Sequence, residues 1–267
     1  MMDILCVDVG NTTTHLGLVR EDRVIKSWKV DTGRIFDGQA EGLRAVLEEA
    51  KGHCTQLAGL SYCSVVPNVN ERLNAAFEQI LPGTPVFHLT WEHCPGIRIN
   101  YPAPAEIGED RLANAVGAKA LYGAPVVVID MGTAVTFDVV SSQGYEGGII
   151  TPGLEIMVRY LHEQTALLPE LDKRDLLVSK GIGKSTVEAM KLGCSVGFDG
   201  MIRTLLERVL QELGKTEQAP IKVLGTGGSL GMLQSTWLET IEFHPDLTLL
   251  GLANAFKEEK LRLNSKG

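Results

Sequence analysis

Short apolar runs alternate with segments of helical periodicity along most of this chain. "ILCV" near the N-terminus and "APVVVID" (residues 124–130) are almost purely apolar, which is typical of strands covered on both faces. "NVNERLNAAFEQIL" places Leu73, Ala76, Phe77 and Ile80 at helical spacing. "THLGLVREDRVIKSWKV" predicts two strands joined by the polar "REDR" turn. The pattern is that of an α/β protein.

Further elements follow from the same periodicities. "LAGLSYCSVV" and "TPVFHL" predict strands, and helices are predicted over residues 39–51, 110–121 and 154–164 and over the C-terminal "LGLANAFKEEKLRL". The Gly-rich "SSQGYEGGIITPG" predicts a turn, and the glycines of residues 193–200 predict a break in the helix that follows "GIGKST". "IKVLGTGGSL" predicts a strand, a glycine turn and the start of a helix.

One strand-and-turn unit occurs twice. When "LCVDVGNTTT" is set beside "VVIDMGTAVT", Asp8 aligns with Asp130 and Thr14 with Thr136, at an offset of 122 residues, near half the chain. Each block has an apolar strand before it and a β-rich segment after it. This agreement predicts an internal duplication.

The repeated D-x-G-[NT] turn has the composition of a phosphate site. Glycine lets the backbone approach a ligand closely, and neighbouring amide and hydroxyl groups form an anion-binding concavity. The aspartate can bind a cation that bridges to a phosphate. For a single copy, an Asx-type turn that caps local amides is the simpler interpretation. Two copies in register favour two turns that clamp a nucleoside triphosphate between two lobes.

"GEDR" places Asp110 and Arg111 at the predicted start of a helix. An aspartate in the first turn is favoured by the helix dipole, so capping alone explains it. The functional alternative is a general base beside an acceptor hydroxyl, with Arg111 as the adjacent positive group.

Two other phosphate fingerprints are incomplete. "GIGKST" ends like a Walker A loop, but Val178 stands where that motif needs its first glycine, and Ser185-x-x-Glu188 is a capping box. In "GTGGSLG", Leu230 replaces the third glycine of a dinucleotide fingerprint.

The bulk composition excludes several classes of protein. A net charge of −8 without a basic stripe argues against binding to nucleic acid backbones. No apolar run reaches 18 residues, so no membrane span is predicted, and the N-terminus lacks the pattern of a signal peptide. The five cysteines contain no C-x-x-C pair, which is typical of a reducing cytoplasm.

These motifs together resemble the type III pantothenate kinases, which belong to the superfamily of acetate and sugar kinases, heat-shock ATPases and actin. The resemblance covers essentially the whole chain. It rests on eight motifs in order: "DVGNTTTHLGL", "SVVPNVN", the segment from Tyr101 that ends in "GEDR", "DMGTAVTFD", "GGIITPG", "GKSTVEAM", "TGG" and "DLTLLGL".

The resemblance implies an α/β fold of two similar ribonuclease-H-like or actin-like domains, with mixed sheets flanked by helices. The expected lobes are residues 1–117 and 118–267, with the active site in the cleft between them. The implied reaction is ATP-dependent phosphorylation of pantothenate to 4'-phosphopantothenate, the first step of coenzyme A biosynthesis. The implied cofactors are Mg²⁺ with ATP and a monovalent cation, K⁺ or NH₄⁺. A cytoplasmic homodimer without nucleic acid or membrane partners is expected.

The resemblance also assigns roles by position. Asp110 is the catalytic base, Asp130 helps to hold the monovalent cation, and Thr133 contacts the phosphates from the second turn. Thr186 contacts the substrate of the partner subunit. The first phosphate loop comprises Asp8, Val9, Gly10, Asn11, Thr12, Thr13, Thr14 and His15. The pantothenate pocket is lined by Tyr101, Gly108, Glu109, Asp110 and Arg111.

The chain departs from the family pattern at three positions. Pro102 and Ala103 stand where the family often has an acidic residue and Asn, and Glu109 stands where it often has Ala. A carboxylate beside a pocket for an anionic substrate is unfavourable unless it points away. Two alternatives remain: a kinase for another hydroxylated substrate, such as a sugar or polyphosphate, and a non-catalytic regulator, since the family includes a transcription accessory factor.

Overall fold

The chain forms two structural units in a computed structural model that describes residues 3–36, 41–54, 56–172, 176, 181–229 and 236–265. The first unit comprises residues 1–123, 143–146 and 246–267, and the second comprises residues 124–142 and 147–245. The lobe limits expected from the resemblance, 1–117 and 118–267, stay a prediction.

The described residues contain ten strands and seven α-helices. The strands are β1 (Asp3–Val9), β2 (Thr13–Arg20), β3 (Arg23–Asp31), β4 (Leu57–Ser64), β5 (Val86–His88), β6 (Val126–Met131), β7 (Ala134–Ser141), β8 (Gly144–Pro152), β9 (Lys222–Thr226) and β10 (Glu242–Phe243). The α-helices are α1 (Thr32–Phe36), α2 (Glu41–His53), α3 (Asn70–Ile80), α4 (Glu109–Tyr122), α5 (Leu154–Glu163), α6 (Thr186–Leu213) and α7 (Leu247–Asn264).

The first unit is built on a five-stranded sheet of order β3-β2-β1-β4-β5. The central strand β1 pairs antiparallel with β2 and parallel with β4, so its apolar side chains are buried. The β2–β3 hairpin turns at Glu21 and Asp22, both with positive φ, which confirms the predicted "REDR" turn. Helices α2 and α3 contribute to one core with β1, β2 and β4. All four apolar residues predicted for α3 are buried.

The second unit repeats this topology. Its five-stranded sheet has the order β10-β9-β6-β7-β8, with β6 antiparallel to β7 and parallel to β9. A core of β6 and β7 side chains packs against α5 and α6. Both sheets follow the same strand order, and in each the central strand is antiparallel to the next strand of the chain and parallel to a later one. The predicted internal duplication is therefore confirmed.

The hairpin registers refine the alignment of the two copies. In the first copy Asp8 pairs with His15 and Val9 with Thr14, whereas in the second Asp130 pairs with Thr136. The second loop is therefore one residue shorter. Thr136 corresponds in the sheet to His15, so its alignment with Thr14 was wrong by one residue.

Two element predictions are wrong. The segment predicted as a turn forms strand β8, and Gly144–Pro152 completes the second sheet. Helix α6 is continuous through the predicted break. Gly193, Gly197 and Gly200 each destabilise the helix by only about 1 kcal/mol relative to alanine. Buried side chains on one face, from Met190 to Leu213, hold this helix against the core.

The helix start predicted after the glycine turn of "IKVLGTGGSL" falls on residues 230–235, which lie outside the described residues. Among the residues that the structure describes, no helix has the length and apolar character needed to cross a membrane.

Candidate active site

The first predicted phosphate loop follows the end of β1. Gly10 closes a tight turn by donating its backbone N–H to the Thr13 carbonyl at 3.1 Å. A Cβ at position 10 would lie 3.0 Å from that carbonyl, which explains the small residue. Asn11, Thr12 and Thr13 are exposed at the tip of the turn. Their amide and hydroxyl groups are therefore available to an anionic ligand.

Thr14 has a different environment from its neighbours. Its side chain is fully buried, and its hydroxyl lies 2.9 Å from that of Thr32. Because the Thr32 hydroxyl donates to the Gly10 carbonyl at 2.8 Å, the Thr14 hydroxyl is the donor to Thr32. This chain of hydrogen bonds ties the phosphate loop to the start of α1. The Thr14 hydroxyl thus stabilises the loop from within.

His15 and Asp8 face each other across the same hairpin. His15 is half-buried, and burial, together with the positive charge of Lys29, lowers its pKa despite the opposing charge of Asp246. Its imidazole is therefore neutral near pH 7. Asp8 accepts a hydrogen bond from the Cys63 thiol at 3.4 Å.

Cys63 marks the place where the predicted acidic residues of the first unit come together. Burial raises the pKa of its thiol well above the usual range, and the charges of Asp8, Asp110 and Glu109 raise it further. The thiol stays protonated and can donate to Asp8. Asp8 lies about 100 residues from Glu109 and Asp110 in sequence, and all three carboxylates lie near one buried group at the carboxyl end of β4.

Asp110 lies in the first turn of α4. Its Oδ1 accepts the backbone N–H of Arg111 at 2.8 Å. Burial raises the pKa of Asp110, the Arg111 amide and charge lower it, and the Glu109 charge raises it again, with a net shift upward. A carboxylate with a raised pKa is a stronger base than a solvated aspartate. The geometry therefore suits the role predicted for Asp110.

Gly108 is the residue before this helix and leaves room for Asp110. A Cβ on Gly108 would lie 2.5 Å from Asp110 Oδ1. The helix consequently has no capping side chain at its N-terminus. A larger residue at position 108 would therefore displace the Asp110 carboxylate.

Glu109 points toward the sheet. Its Oε2 accepts the backbone N–H of Ser64 at 2.6 Å and lies 2.8 Å from His88 Nε2. Its side chain is 20% exposed. Glu109, which departs from the family pattern, therefore has its carboxylate engaged by Ser64 at the end of β4 and by His88 at the end of β5.

Tyr101 and Arg111 meet at a residue that the sequence motifs did not single out. Tyr145 is completely buried. The Tyr101 ring packs edge-on against it, with centroids 6.5 Å apart, and the Arg111 guanidinium lies 5.9 Å from its ring centroid. Backbone hydrogen bonds join Tyr145 to Arg98 and Asn100. An aromatic residue within a Gly-rich segment was the available signal, but it lay in the segment predicted as a turn.

The second turn follows β6 in the second unit. Gly132 donates its N–H to the Ala134 carbonyl at 3.0 Å, and Thr133 is exposed. Gly227, at a φ of 89°, brings bare backbone against Asp130, so that a Cβ there would lie 2.6 Å from Asp130 Oδ1. A Cβ on Gly153 would overlap the carbonyl oxygens of Gly132 and Thr133. Three glycines therefore pack backbone around the Asp130 carboxylate and the Thr133 turn.

Thr186 is the first residue of α6. Ser185 caps this helix by accepting the Glu188 N–H at 3.2 Å, which confirms one half of the predicted capping box. The Glu188 carboxylate accepts the N–H of Lys184 at 2.6 Å, one residue before the cap position that a capping box uses. The Thr186 side chain is exposed. It is accessible to a second subunit.

The carboxylates of Asp8 and Asp130 are hard oxygen ligands, which suit Mg²⁺ and similar cations. Mg²⁺ in nucleotide sites is held by one or two carboxylates and by the substrate phosphates, with water filling the other positions. Among the described residues no three His, Cys, Asp or Glu side chains form a metal cluster. A single carboxylate at each turn agrees with a cation that is shared with phosphates.

The comparison with known sequences decides the family. A profile of the type III pantothenate kinases matches residues 4–208. The chain belongs to the type III pantothenate kinase family. The curated type III pantothenate kinases of Methylacidiphilum infernorum and Akkermansia muciniphila are both 39% identical to it, over 93% and 94% of this chain and 86% and 97% of theirs. The family and enzyme class expected from the sequence are thus confirmed.

Solved structures confirm the fold. A Campylobacter jejuni protein assigned to the Baf family of transcriptional activators matches with a TM-score of 0.61 at 18% identity, over 96% of this chain and 99% of that one. A ROK family glucokinase from Streptomyces griseus, solved with glucose and AMPPNP, matches with a TM-score of 0.56 at 15% identity, over 94% and 98%. The chain therefore has a duplicated actin-like fold.

Proposed function

We propose that this chain transfers the γ-phosphoryl group of ATP to the primary hydroxyl of pantothenate, giving 4'-phosphopantothenate. Family membership supports the reaction. The observation that carries it within this chain is the half-buried Asp110, which has a raised pKa and lies with Asp8 around Cys63. A base and a phosphate loop are thereby brought to one end of one sheet.

In this proposal Asp110 orients the acceptor hydroxyl and takes its proton late in the transfer. Burial raises its pKa toward the working pH, which improves a general base. Arg111, whose guanidinium lies over the Tyr145 ring, would bind the carboxylate of pantothenate. Tyr101 packs on the same ring and forms a wall of the pocket.

The phosphates are bound by the exposed groups of the two turns, Asn11 to Thr13 in the first and Thr133 in the second. Bound Mg²⁺ neutralises charge on the triphosphate, and Asp8 is the carboxylate that would hold it. Asp130 would hold the monovalent cation, K⁺ or NH₄⁺. A phosphoryl transfer needs positioning and charge neutralisation more than covalent chemistry from the protein.

The test is a coupled assay of ADP release with pantothenate, glucose, N-acetylmannosamine and polyphosphate as acceptors, each with and without K⁺. We expect transfer to pantothenate alone and a K⁺-dependent rate. Transfer to another acceptor instead would identify that acceptor, and not pantothenate, as the substrate. No transfer to any acceptor by folded protein would favour the non-catalytic regulator, and a rate indifferent to K⁺ and NH₄⁺ would remove the role of Asp130.

We also propose a homodimer in which Thr186 contacts the substrate of the partner subunit. Its support is the exposed position of Thr186 and the exposed apolar side chains of Ile182 and Val196 nearby in sequence. When inactive Asp110→Asn and Thr186→Arg proteins are mixed and allowed to exchange subunits, one site of each mixed dimer is intact, so activity returns. Mixed samples that stay inactive although subunits exchange would contradict the role in the partner's site.

The cysteines support a cytoplasmic location, which we propose as the site of action. All five are unpaired, and Cys6 and Cys63 are buried thiols whose pKa burial raises. Such thiols persist in a reducing compartment. Fractionation of cells that express a tagged chain would test this, and recovery outside the cytoplasm would contradict it.

A further inference from the structure

Glu109 is one residue from the proposed base, and its carboxylate is held by groups at the ends of two strands. Oε2 is held by the Ser64 amide, at the last residue of β4, and by His88, at the last residue of β5. These contacts span 45 and 21 residues of sequence. The carboxylate therefore joins the first turn of α4 to two strands of the sheet.

The partners of Glu109 are themselves fixed. Ser64 pairs with Val9 in the sheet, beside the Asp8 phosphate loop. The His88 ring stacks on Tyr62, with centroids 4.2 Å apart and an interplanar angle of 8°. A carboxylate near pH 7 only accepts hydrogen bonds, so His88 Nε2 is the donor. Glu109 is thus anchored to rigid groups at the edge that carries the phosphate loop.

The start of α4 needs such an anchor. Gly108 must be small because Asp110 Oδ1 occupies the space of its Cβ, and the helix consequently has no side-chain cap. Capping by Ser, Thr, Asp or Asn stabilises a helix start by about 1 kcal/mol. Gly108 contributes no such cap, and Asp110, which accepts the Arg111 N–H, lies in this first turn. The contacts of Glu109 with the sheet hold this turn in place of a side-chain cap.

We propose that Glu109 is a positioning residue for Asp110: its contacts with Ser64 and His88 hold the first turn of α4 so that the Asp110 carboxylate meets the acceptor hydroxyl. This rests on the proposed function. Misplacement of a reacting group by about 1 Å can reduce a rate by about 100-fold. A tether with two hydrogen bonds is a direct way to prevent it.

The test compares Glu109→Ala, Glu109→Gln and His88→Phe with wild type in steady-state kinetics for ATP and pantothenate. Glutamine keeps an acceptor oxygen of the same reach, and phenylalanine keeps a ring against Tyr62 without a donor. We expect Glu109→Ala to lower kcat about 10- to 100-fold with the KM for ATP within about threefold. Glu109→Gln should restore kcat to within about threefold of wild type, and His88→Phe should lower it about 3- to 10-fold.

Two controls separate positioning from general stability. Glu106→Ala removes an exposed carboxylate three residues before Glu109 and should leave kcat and Tm unchanged. The double variant Glu109→Ala/His88→Phe should lose no more kcat than Glu109→Ala alone, because both remove the same contact. If Glu109→Ala does not fold, Glu109→Gln and His88→Phe decide the question.

The outcomes separate the proposed function from the positioning role. Wild-type protein without activity on pantothenate would overturn the proposed function and the positioning role with it. Active wild type together with normal kcat in Glu109→Ala, or with no reduction in a folded His88→Phe, would overturn the positioning role alone. Failure of glutamine to restore kcat would do the same.

Discussion

At the scale of single residues, the proposed base Asp110 is disfavoured in its charged form by burial, and a glycine beside it leaves room for its carboxylate. Asp110 sits in a place that disfavours its charge, as its raised pKa shows. Gly108 leaves space for the Asp110 carboxylate, and Glu109 is the residue that we propose holds the first turn of α4 against the sheet. Such an arrangement reduces stability in exchange for reactivity, which is a common property of active sites.

The cost of the buried charge predicts a pH-dependent gain in stability for Asp110→Asn. The folded-state pKa lies above the ordinary value of 3.8, so the folded state binds the proton more tightly than the unfolded state. Wild type therefore loses stability as the pH rises from about 4 through the folded-state pKa. Asparagine keeps the acceptor for Arg111 but has no charge. We expect its Tm to exceed that of wild type at pH 7, with a smaller difference at pH 4.

Thermal unfolding at several pH values between 4 and 8 measures this difference. Glu106→Gln, which changes an exposed carboxylate nearby, is the matched control and should show no such trend. A Tm difference between Asp110→Asn and wild type that is constant over this range, or that grows toward low pH, would contradict the stated direction of the pKa shift.

The residue-scale features were predictable in part. The turn motif located Asp8 and Asp130, and "GEDR" located Asp110, because glycine, aspartate and their order along the chain are local signals. The partners of Glu109 were not predictable, since Ser64 and His88 reach it only through strand pairing and the α4 packing. The burial of Thr14 depends in the same way on Thr32, which lies 18 residues further on.

At the scale of elements, the contact between α4 and α7 holds the helix that carries Asp110. The two helices cross at glycines: a Cβ on Gly117 would lie 2.8 Å from the Leu247 carbonyl, and one on Gly251 would overlap the Ala113 carbonyl. Thr248 donates to Asn114 Oδ1 at 2.7 Å across the same contact. The orientation of α4 therefore depends on close backbone approach.

Gly251→Ala is expected to force these helices apart. Insertion of a methyl group into a closely packed contact reduces stability by about 1 to 3 kcal/mol, with backbone movement. Gly52→Ala in α2, where a Cβ would meet nothing within 4 Å, is the matched control and should leave stability unchanged or slightly higher. Urea unfolding of both variants measures the effect, and equal midpoints for Gly251→Ala and wild type would contradict the packing argument.

Element prediction succeeded where local periodicity dominates and failed where partners are distant. The four buried residues of α3 follow one helical face, so the pattern sufficed. Strand β8 contains four glycines within or beside it and becomes a strand through pairing with β7. Helix α6 continues past its glycines because Phe198 and Ile202 are packed in the core.

At the scale of the whole molecule, duplication gives two sheets of one topology, each with a glycine turn after its first strand. The first turn offers three exposed polar side chains, and the second offers Thr133 next to Ala134. The copies have thus diverged, and the first turn offers more candidate phosphate contacts than the second. The second turn instead surrounds the Asp130 carboxylate with glycine backbone.

The account depends most directly on Asp110 as the base of pantothenate phosphorylation. Its decisive measurement is the kcat of Asp110→Asn with ATP and pantothenate at pH 7, beside wild type and with the Tm of each. We predict a folded variant with kcat lower by about 10² to 10⁴ and a KM for ATP within about threefold of wild type. A folded Asp110→Asn with near-normal kcat would remove Asp110 from the mechanism.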